Sequence, residues 1–178
     1  IDLEGSYHPF FGGSPANIAM NVKALGGRSA LVAAVGKDRM GEFLKETIKQ
    51  RSLTDGIIQE NKASTSMVLV NKTTCTPIPI FYRGADYQLD YTNELKELAS
   101  ESKILHFSSW PISQEHSRKT IENLIEQAKA EGTLISFDPN YHPALWQEGH
   151  DGIDYIKELI KHVDIIKPSE DDAERIFG

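Results

Sequence analysis

Residues 12–27 of the chain read GGSPANIAMNVKALGG, a helix-like stretch with a pair of glycines at each end. Gly12 and Gly13 carry no Cβ, so the backbone there can turn sharply or approach a ligand closely. Ser14 is placed to N-cap the following helix, and Pro15 suits its first position. The second glycine pair predicts the end of the helix. The stretch therefore predicts a short amphipathic helix whose N-terminus opens a pocket mouth.

Asn17 falls in the first turn of this predicted helix. Free backbone N–H groups and the positive end of the helix dipole favour anionic or hydroxyl-rich ligands there. The side-chain amide of Asn17 both donates and accepts hydrogen bonds, as recognition of sugar hydroxyls requires. Asn17, Gly12 and Gly13 are therefore the first candidates for substrate binding. A capped helix between glycines is also a common structural unit, and this pattern alone leaves that interpretation open.

The same stretch continues into SALVAAVGKDRMGEFL at residues 29–44. Together the two segments resemble the N-terminal motif of the ribokinase-like (PfkB) carbohydrate kinases, including its typical Gly36, Asp38 and Gly41. The resemblance implies an α/β fold, three-layer α/β/α with a mostly parallel central sheet and a small β-sheet lid. It also implies transfer of the ATP γ-phosphoryl group to a sugar hydroxyl, with Mg²⁺ bridging the phosphates.

The composition is that of an ordinary globular protein: 39% of the 178 residues are hydrophobic and 25% are charged. A net charge of −7 argues against non-specific binding to nucleic acid or to an anionic membrane surface. The single cysteine, Cys75, excludes an intrachain disulfide, and no segment resembles a signal peptide or a membrane span. These features predict a cytoplasmic protein with no nucleic-acid partner and no membrane association.

Strand-like and helix-like segments alternate along most of the chain, which predicts a parallel sheet with helices on its faces. The predicted helices that follow the glycine-flanked helix are residues 39–50, 113–131, 153–162 and 169–177. Ligands of such sheets bind beyond the carboxyl ends of the strands. Polar segments follow four predicted strands, at residues 36–38, 108–110, 138–140 and 167–169. We therefore expect one rim that collects these segments.

Residues 64–83 break the alternation, because the strand-like segments MVLV and IPIF flank a polar turn with no helix between them. Pro77 and Pro79 suit an edge strand, since neither can donate a ladder hydrogen bond. The resemblance implies that this hairpin, with approximately residues 1–11, forms the lid over the sugar and the contact of a homodimer. An antiparallel appendage that only covers one end of the sheet is the alternative.

Arg83 follows the hairpin in the segment FYRGAD, where its forked donor stands beside a turn of small residues. The segment resembles one that fructokinases and 2-keto-3-deoxygluconate kinases of the family have near the substrate, which makes Arg83 a substrate-binding candidate. A solvated surface charge is the alternative. Phe81 and Tyr82 point to opposite faces of the strand, so one of them faces the sugar or the core.

The segment FDPNYHPALW at residues 137–146 resembles the family segment D-P-N-x-R-x-x-L-W, with His142 in place of the arginine. The resemblance implies substrate binding by Asp138 and Asn140. A carboxylate and an amide at a strand end can orient phosphates or the water shell of Mg²⁺, although Asp-Pro-Asn is otherwise simply a turn. Histidine is mostly neutral near pH 7 and does not replace the charge of the arginine.

Residues 167–174, KPSEDDAE, match in position a family segment whose N-x-x-E motif is associated with magnesium and phosphate. Ser169 and Asp172 stand where that motif has asparagine and glutamate. The resemblance implies that Lys167 and Ser169 bind the nucleotide cofactor and that Asp172 orders Mg²⁺ indirectly, through water. Ser169 is equally a candidate N-cap for an acidic first helical turn.

The family's C-terminal G-A-G-D motif, which supplies the catalytic base and an anion hole, does not occur in these 178 residues. We therefore expect residues 1–178 to be a partial kinase domain, truncated at both ends, without the catalytic base and the main nucleotide site. The expected activity is phosphorylation of fructose, with 2-keto-3-deoxygluconate or another sugar or nucleoside as the alternative. A non-catalytic sugar-binding or dimerising module is the alternative of another class. A Rossmann-type dehydrogenase is disfavoured, because no G-x-G-x-x-G follows a strand.

Overall fold

The computed structural model describes residues 7–70, 79–146, 150 and 152–178. In chain order its elements are α1 (Ser14–Ala24), β1 (Val32–Gly36), α2 (Arg39–Gln50), β2 (Ile57–Asn61), β3 (Met67–Leu69), β4 (Ile80–Tyr82), α3 (Asn93–Ser100), β5 (Ile104–Ser108), α4 (Ser109–Ile112), α5 (Glu115–Glu131), β6 (Leu134–Asp138), α6 (Ile153–Ile160), β7 (Ile165–Ile166) and α7 (Glu170–Phe177). Short 3₁₀ turns occupy Ala85–Tyr87 and Pro143–Leu145. The predicted alternation of strands and helices is confirmed.

Parallel pairing joins β1 with β2, and β5, β6 and β7 in that order. Strands β3 and β4 pair antiparallel, with Val68 opposite Phe81. The mostly parallel architecture and the hairpin are therefore confirmed. The turn of the hairpin, with Pro77 and Cys75, lies outside the described residues, as do residues 1–6 of the predicted lid.

Helix α1 ends as the second glycine pair predicts. Gly26 has φ 84°, its N–H donates to the Lys23 carbonyl at 3.0 Å, and the Gly27 N–H donates to the Val22 carbonyl at 2.9 Å. These two bonds satisfy carbonyls that have no partner within the helix.

Helix α3 is an element that the sequence patterns did not predict. The Thr92 hydroxyl caps it by accepting a hydrogen bond from the Leu95 N–H at 3.2 Å, and Leu95 is its buried residue. Eight residues with one buried position give little periodic signal. The threonine cap is the local feature that could have revealed it.

The larger hydrophobic core lies on one face of β5 and β6, where side chains alternate between the two faces of the sheet. Phe107, Ile135 and Phe137 point into this core and are at most 3% exposed. Their neighbours His106, Ser108, Ser136 and Asp138 lie on the opposite face. The opposite face is therefore polar in the part of β5 and β6 that lies toward their carboxyl ends.

A smaller core lies beneath α1, where Ala16 and Ala19 pack with Leu31, Ile48 and Leu53. Their burial fixes the face that α1 turns toward the protein. Helix α1 also contacts β5. The N-terminus of α1 is thereby held near the polar face of the sheet.

Gly36, Asp38 and Gly41 form a structural joint at the end of β1. Asp38 caps α2 by accepting the Gly41 N–H at 2.9 Å, and it also accepts the Thr65 N–H at 2.8 Å and the Thr65 hydroxyl at 2.7 Å. These hydrogen bonds, led by the one from the Thr65 backbone, lower the pKa of Asp38. The Gly36 N–H donates to the Thr65 hydroxyl at 2.9 Å. The joint ties β1 and α2 to the segment that precedes the hairpin.

Candidate functional site

The N-terminus of α1 forms one wall of the candidate site. Gly13 is the N-cap and has φ 107°, a conformation that L side chains rarely adopt. A Cβ on Gly12 or Gly13 would meet no atom within 4 Å among the described residues, so open space lies beside both. Asn17 is exposed on the same helix. The predicted pocket mouth thus has the required room, and ligand binding by these residues stays a prediction.

The prediction that Ser14 N-caps α1 is wrong. The helix begins at Ser14 itself, and Gly13 occupies the cap position without a side-chain hydrogen bond. The Ser14 hydroxyl instead donates to Asp138 Oδ2 at 3.0 Å. A contact across the fold has therefore taken the place of a local cap.

Asp138 is the centre of the site, at the carboxyl end of β6. It is 8% exposed and pairs in register with Ser108. Its Oδ2 accepts the Ser14 hydroxyl, and its Oδ1 lies 3.8 Å from Lys167 Nζ, whose side chain is 73% exposed. The ends of β5, β6 and β7 thus meet the N-terminus of α1, which confirms the predicted rim for these three strands. The fourth strand end, at β1, belongs to a different sheet among the described residues.

His106 lies on the polar face, where it pairs in register with Ser136, two positions before the Ser108–Asp138 pair. It was not singled out from the sequence. Its Nδ1 is 2.9 Å from Ser136 Oγ, and its Nε2 is buried with no hydrogen-bond partner among the described residues. Burial lowers its pKa, and the Asp138 charge opposes this only in part. His106 is therefore neutral near pH 7. His106 and Ser108 are successive polar residues on one face of β5, separated by the core residue Phe107, and this alternation is the signal that could have marked the polar face.

Arg83 is buried in the protein, with its side chain 9% exposed, so the solvated alternative is wrong. Its Nε donates to Asp86 at 2.9 Å and one terminal nitrogen makes a second bond to the same carboxylate. The remaining donors reach the Trp110 carbonyl at 3.0 Å, the Ser113 hydroxyl at 2.6 Å and the Leu145 carbonyl at 3.0 Å. All five N–H groups of the guanidinium are used. Substrate binding by Arg83 stays a prediction, and it requires one of these bonds to be exchanged.

Phe81 is the residue of β4 that faces inward. Its ring centroid is 5.6 Å from Trp110 and 5.0 Å from His142, whereas Tyr82 is 49% exposed. Burial and the nearby Arg175 charge lower the pKa of His142. His142 is therefore neutral near pH 7, as the sequence predicted, and it packs against an aromatic ring.

Ser169 is the N-cap of α7, which confirms the structural alternative for this residue. Its hydroxyl accepts the Asp172 N–H at 3.1 Å and donates to Asp172 Oδ2 at 2.7 Å. The Ser169 N–H donates to the same oxygen at 2.9 Å, which completes a capping box. The nucleotide contact of Ser169 stays a prediction.

Asp172 is 3% exposed, and its other oxygen, Oδ1, accepts the Tyr141 N–H at 2.6 Å. Both carboxylate oxygens are therefore already occupied by N–H or O–H donors. Within the described ranges, no group of three or more His, Cys, Asp or Glu residues could hold a metal ion. The indirect role of Asp172 toward Mg²⁺ stays a prediction.

The fold is that of an α/β protein, and its candidate site lies where a helix N-terminus meets the ends of parallel strands. The model of the pfkB family of carbohydrate kinases matches residues 2–178. The chain therefore belongs to the pfkB carbohydrate kinase family. No helix in the described part of the chain combines the length and the apolar character needed to cross a membrane.

Among its curated relatives is the ATP-dependent 6-phosphofructokinase of Thermoanaerobacterium thermosaccharolyticum, 54% identical over 97% of this chain and 54% of that protein. The fructokinase of Halothermothrix orenii is similar in structure, with a TM-score of 0.87, 37% identity, and coverage of 94% of this chain and 60% of that one. The Vibrio cholerae fructokinase with bound fructose, ADP and calcium gives a TM-score of 0.78 at 26% identity, covering 93% of this chain and 54% of that one. The chain spans about half the length of the curated relatives it matches.

Proposed function

We propose that the whole protein catalyses ATP-dependent phosphorylation of a hydroxyl group on a ketose sugar, with fructose as the first candidate. The observation that carries the proposal is the junction of Ser14, Asp138 and Lys167 within a chain of the pfkB family. It places a carboxylate and a cation beside the open space at Gly12 and Gly13. Carboxylates bind sugar hydroxyls by charge-assisted hydrogen bonds.

In this proposal the sugar hydroxyls are bound by Asp138, Asn140 and Asn17, and Gly12 and Gly13 leave room for the sugar ring. The partly buried Ser14–Asp138 bond keeps the carboxylate in one orientation before the sugar arrives, which lowers the ordering cost of binding. Arg83 belongs to the same set of candidates, either as a contact of the sugar or as a support of the loops around it.

ATP would supply the phosphoryl group, and Lys167 is the exposed cation of the described site that fits a phosphate. Since the described residues offer no cluster of metal ligands, we propose that Mg²⁺ is held mainly by the phosphates and water, as Mg²⁺ prefers. Ser169 and Asp172 remain candidates for an indirect contribution.

We further propose that residues 1–178 are part of one kinase domain, with a lid at approximately residues 1–11 and 64–83. The described hairpin supports the second part of the lid. Met67 and Tyr82 lie opposite each other on it and are 41% and 49% exposed. An exposed apolar pair on a short sheet supports a homodimer through the lid. Use of ATP and a single cysteine are consistent with a cytoplasmic location.

Fructose 6-phosphate is the second candidate substrate. It is favoured by the relative that is 54% identical and named ATP-dependent 6-phosphofructokinase. A phosphorylated sugar needs a cationic partner in addition to the groups that bind the hydroxyls. The neutral His142 does not supply that cation, so Lys167 would have to serve the sugar phosphate or the nucleotide.

The test is ADP release by the whole protein with ATP and Mg²⁺, using fructose, fructose 6-phosphate, 2-keto-3-deoxygluconate, ribose and a nucleoside as acceptors. We expect turnover to depend on the sugar and on Mg²⁺, with one ketose strongly preferred. A preference for the phosphorylated ketose would replace the first candidate by the second. Sugar binding without ADP release from any acceptor would instead establish a non-catalytic module.

A further inference from the structure

Asn140 has an unusual backbone conformation at the candidate site. Its φ is 41°, and Ser52 is the only other described non-glycine residue with positive φ. Asparagine tolerates this left-handed region better than most residues, but surrounding contacts are needed to hold it there. The residue is exposed and follows Asp138 by two positions.

The backbone is held on both sides of Asn140. The buried Pro139 has its carbonyl bound by the Ser109 N–H at 3.1 Å. On the other side, the Tyr141 N–H donates to Asp172 Oδ1 at 2.6 Å, and the Tyr141 carbonyl accepts from Arg175 at 3.2 Å. Tyr141 is 4% exposed, so removal of Asp172 would cost its backbone N–H this hydrogen bond at a position with little access to water.

Asp172 is itself fixed in position. Its second oxygen accepts two hydrogen bonds from Ser169, and its own N–H returns one to the Ser169 hydroxyl. The residue is in the first turn of α7, where the helix dipole favours a carboxylate. The Asp172 carboxylate accepts three hydrogen bonds and is 3% exposed, so it has little freedom to move.

From these contacts we propose that Asp172 is a positioning residue, which acts with Arg175 through the Tyr141 backbone to hold Asn140 in its sugar-binding conformation. The inference rests on the proposed function, because it gives Asn140 a sugar to bind. It assigns to Asp172 a role that needs no contact with metal, nucleotide or substrate. Sugar binding then requires the left-handed conformation of Asn140, and the contacts from α7 hold Asn140 in that conformation.

The test uses the whole protein and five variants: Asp172→Asn, Asp172→Glu, Asn140→Gly, Asp172→Asn combined with Asn140→Gly, and Glu170→Gln as the matched control. Glu170 lies in the same helical turn and is exposed. Asp172→Asn replaces one of the two carboxylate oxygens with an NH₂ group, which cannot accept a hydrogen bond, at nearly constant size. Asn140→Gly removes the side chain and readily accepts a positive φ.

We expect Asp172→Asn to lower kcat/KM for the sugar by about 10- to 100-fold, the cost of misplacing a binding group by roughly 1 Å. The KM for ATP stays near the wild-type value, and Glu170→Gln has no effect. In the Asn140→Gly background, Asp172→Asn causes little further loss of kcat/KM, since the side chain through which Asp172 acts has already been removed. Asp172→Glu, which keeps a carboxylate, recovers part of the activity. An equal loss in both backgrounds overturns the proposal.

Amide hydrogen exchange provides a readout that does not depend on activity. Peptides that cover residues 139–142 should exchange faster in Asp172→Asn than in the wild type, while the α5 peptides remain unchanged. Unchanged protection at residues 139–142 overturns the positioning role. If the wild type turns over no sugar, the proposed function and the sugar-binding part of this inference both fail. The exchange result then decides alone whether Asp172 holds the loop.

Discussion

Arg83 is a single side chain that joins three separate parts of the fold. It extends from the end of β4, bonds Asp86 in the following turn, and reaches carbonyls at Trp110 and Leu145, after β5 and β6. Its guanidinium also lies 4.5 Å from the centroid of the Trp110 ring, a distance that favours cation–π attraction. A planar fork meets these geometric demands, and a lysine ammonium does not.

We predict that Arg83→Lys lowers the free energy of unfolding by about 3 kcal/mol, because a lysine ammonium cannot replace both bonds to Asp86 Oδ2 together with those to the two carbonyls. Arg39→Lys is the matched control. The Arg39 side chain is 95% exposed, so we expect a change below about 0.5 kcal/mol. Urea unfolding followed by circular dichroism measures both variants. Unchanged stability of Arg83→Lys together with a raised KM for the sugar would show that Arg83 serves the substrate instead.

We also predict that Asp38→Ala destabilises the protein by about 2 kcal/mol, since it removes the cap of α2 and two bonds from Thr65. Glu46→Ala, at an exposed position of the same helix, should be nearly neutral. The comparison requires thermal or urea unfolding at pH 7. An effect no larger than that of Glu46→Ala would contradict the structural joint.

The pKa of Asp38 is lowered in the folded protein, chiefly by its hydrogen bond from the Thr65 backbone. A carboxyl with a lowered folded pKa stabilises the fold above its unfolded pKa, about 3.9 for aspartate. That contribution is lost as the pH falls through the lower folded value. We therefore expect the stability difference between wild type and Asp38→Ala to be full at pH 6 and to shrink below about pH 4. A difference that stays constant down to pH 3 would refute this assignment.

At the scale of elements, the β3–β4 hairpin has two unlike faces. Phe81 packs on Trp110 and His142, while Met67 and Tyr82 form an exposed cross-strand pair. The inner face attaches the hairpin to the loops of the candidate site. Among the described residues the outer face is exposed, and we propose that it pairs with a second copy of the protein.

We predict that Tyr82→Lys shifts the whole protein from dimer to monomer, because a buried interface does not tolerate an unpaired charge. Leu25→Lys is the control, at a residue 89% exposed on a different surface. Sedimentation velocity at several concentrations measures the association. If both variants and the wild type sediment as dimers of equal stability, the lid is not the contact.

Elements with strong local signals were predictable, whereas contacts between distant segments were not. Helix α2 has the predicted limits, since Asp38 caps it and its apolar residues recur with helical spacing. The Ser14 cap failed because its hydroxyl bonds Asp138, 124 positions away. The partners of Arg83 include two backbone carbonyls, which no residue pattern reveals. Strand β7 covers only Ile165–Ile166, since it pairs on one side with two residues of β6.

At the scale of the whole molecule, the candidate site is assembled from segments far apart in the sequence. The N-terminus of α1 meets the ends of β5, β6 and β7 at Asp138, and α7 holds the loop that carries Asn140. The sequence motifs singled out these segments because each one ends a strand or begins a helix. Their mutual contacts, which determine what each side chain can do, depend on the folded sheet.

We propose that Asp138 binds the sugar of a kinase reaction, and the variant Asp138→Asn removes its charge at nearly constant size. The measurement is kcat/KM for the preferred sugar in the whole protein, with Glu170→Gln as an exposed control and circular dichroism to confirm folding. We predict a loss of about 10- to 100-fold, the value of a hydrogen bond to a charged group, with Glu170→Gln unchanged. Wild-type kcat/KM in a folded Asp138→Asn variant would show that the Asp138 charge does not contribute to sugar binding.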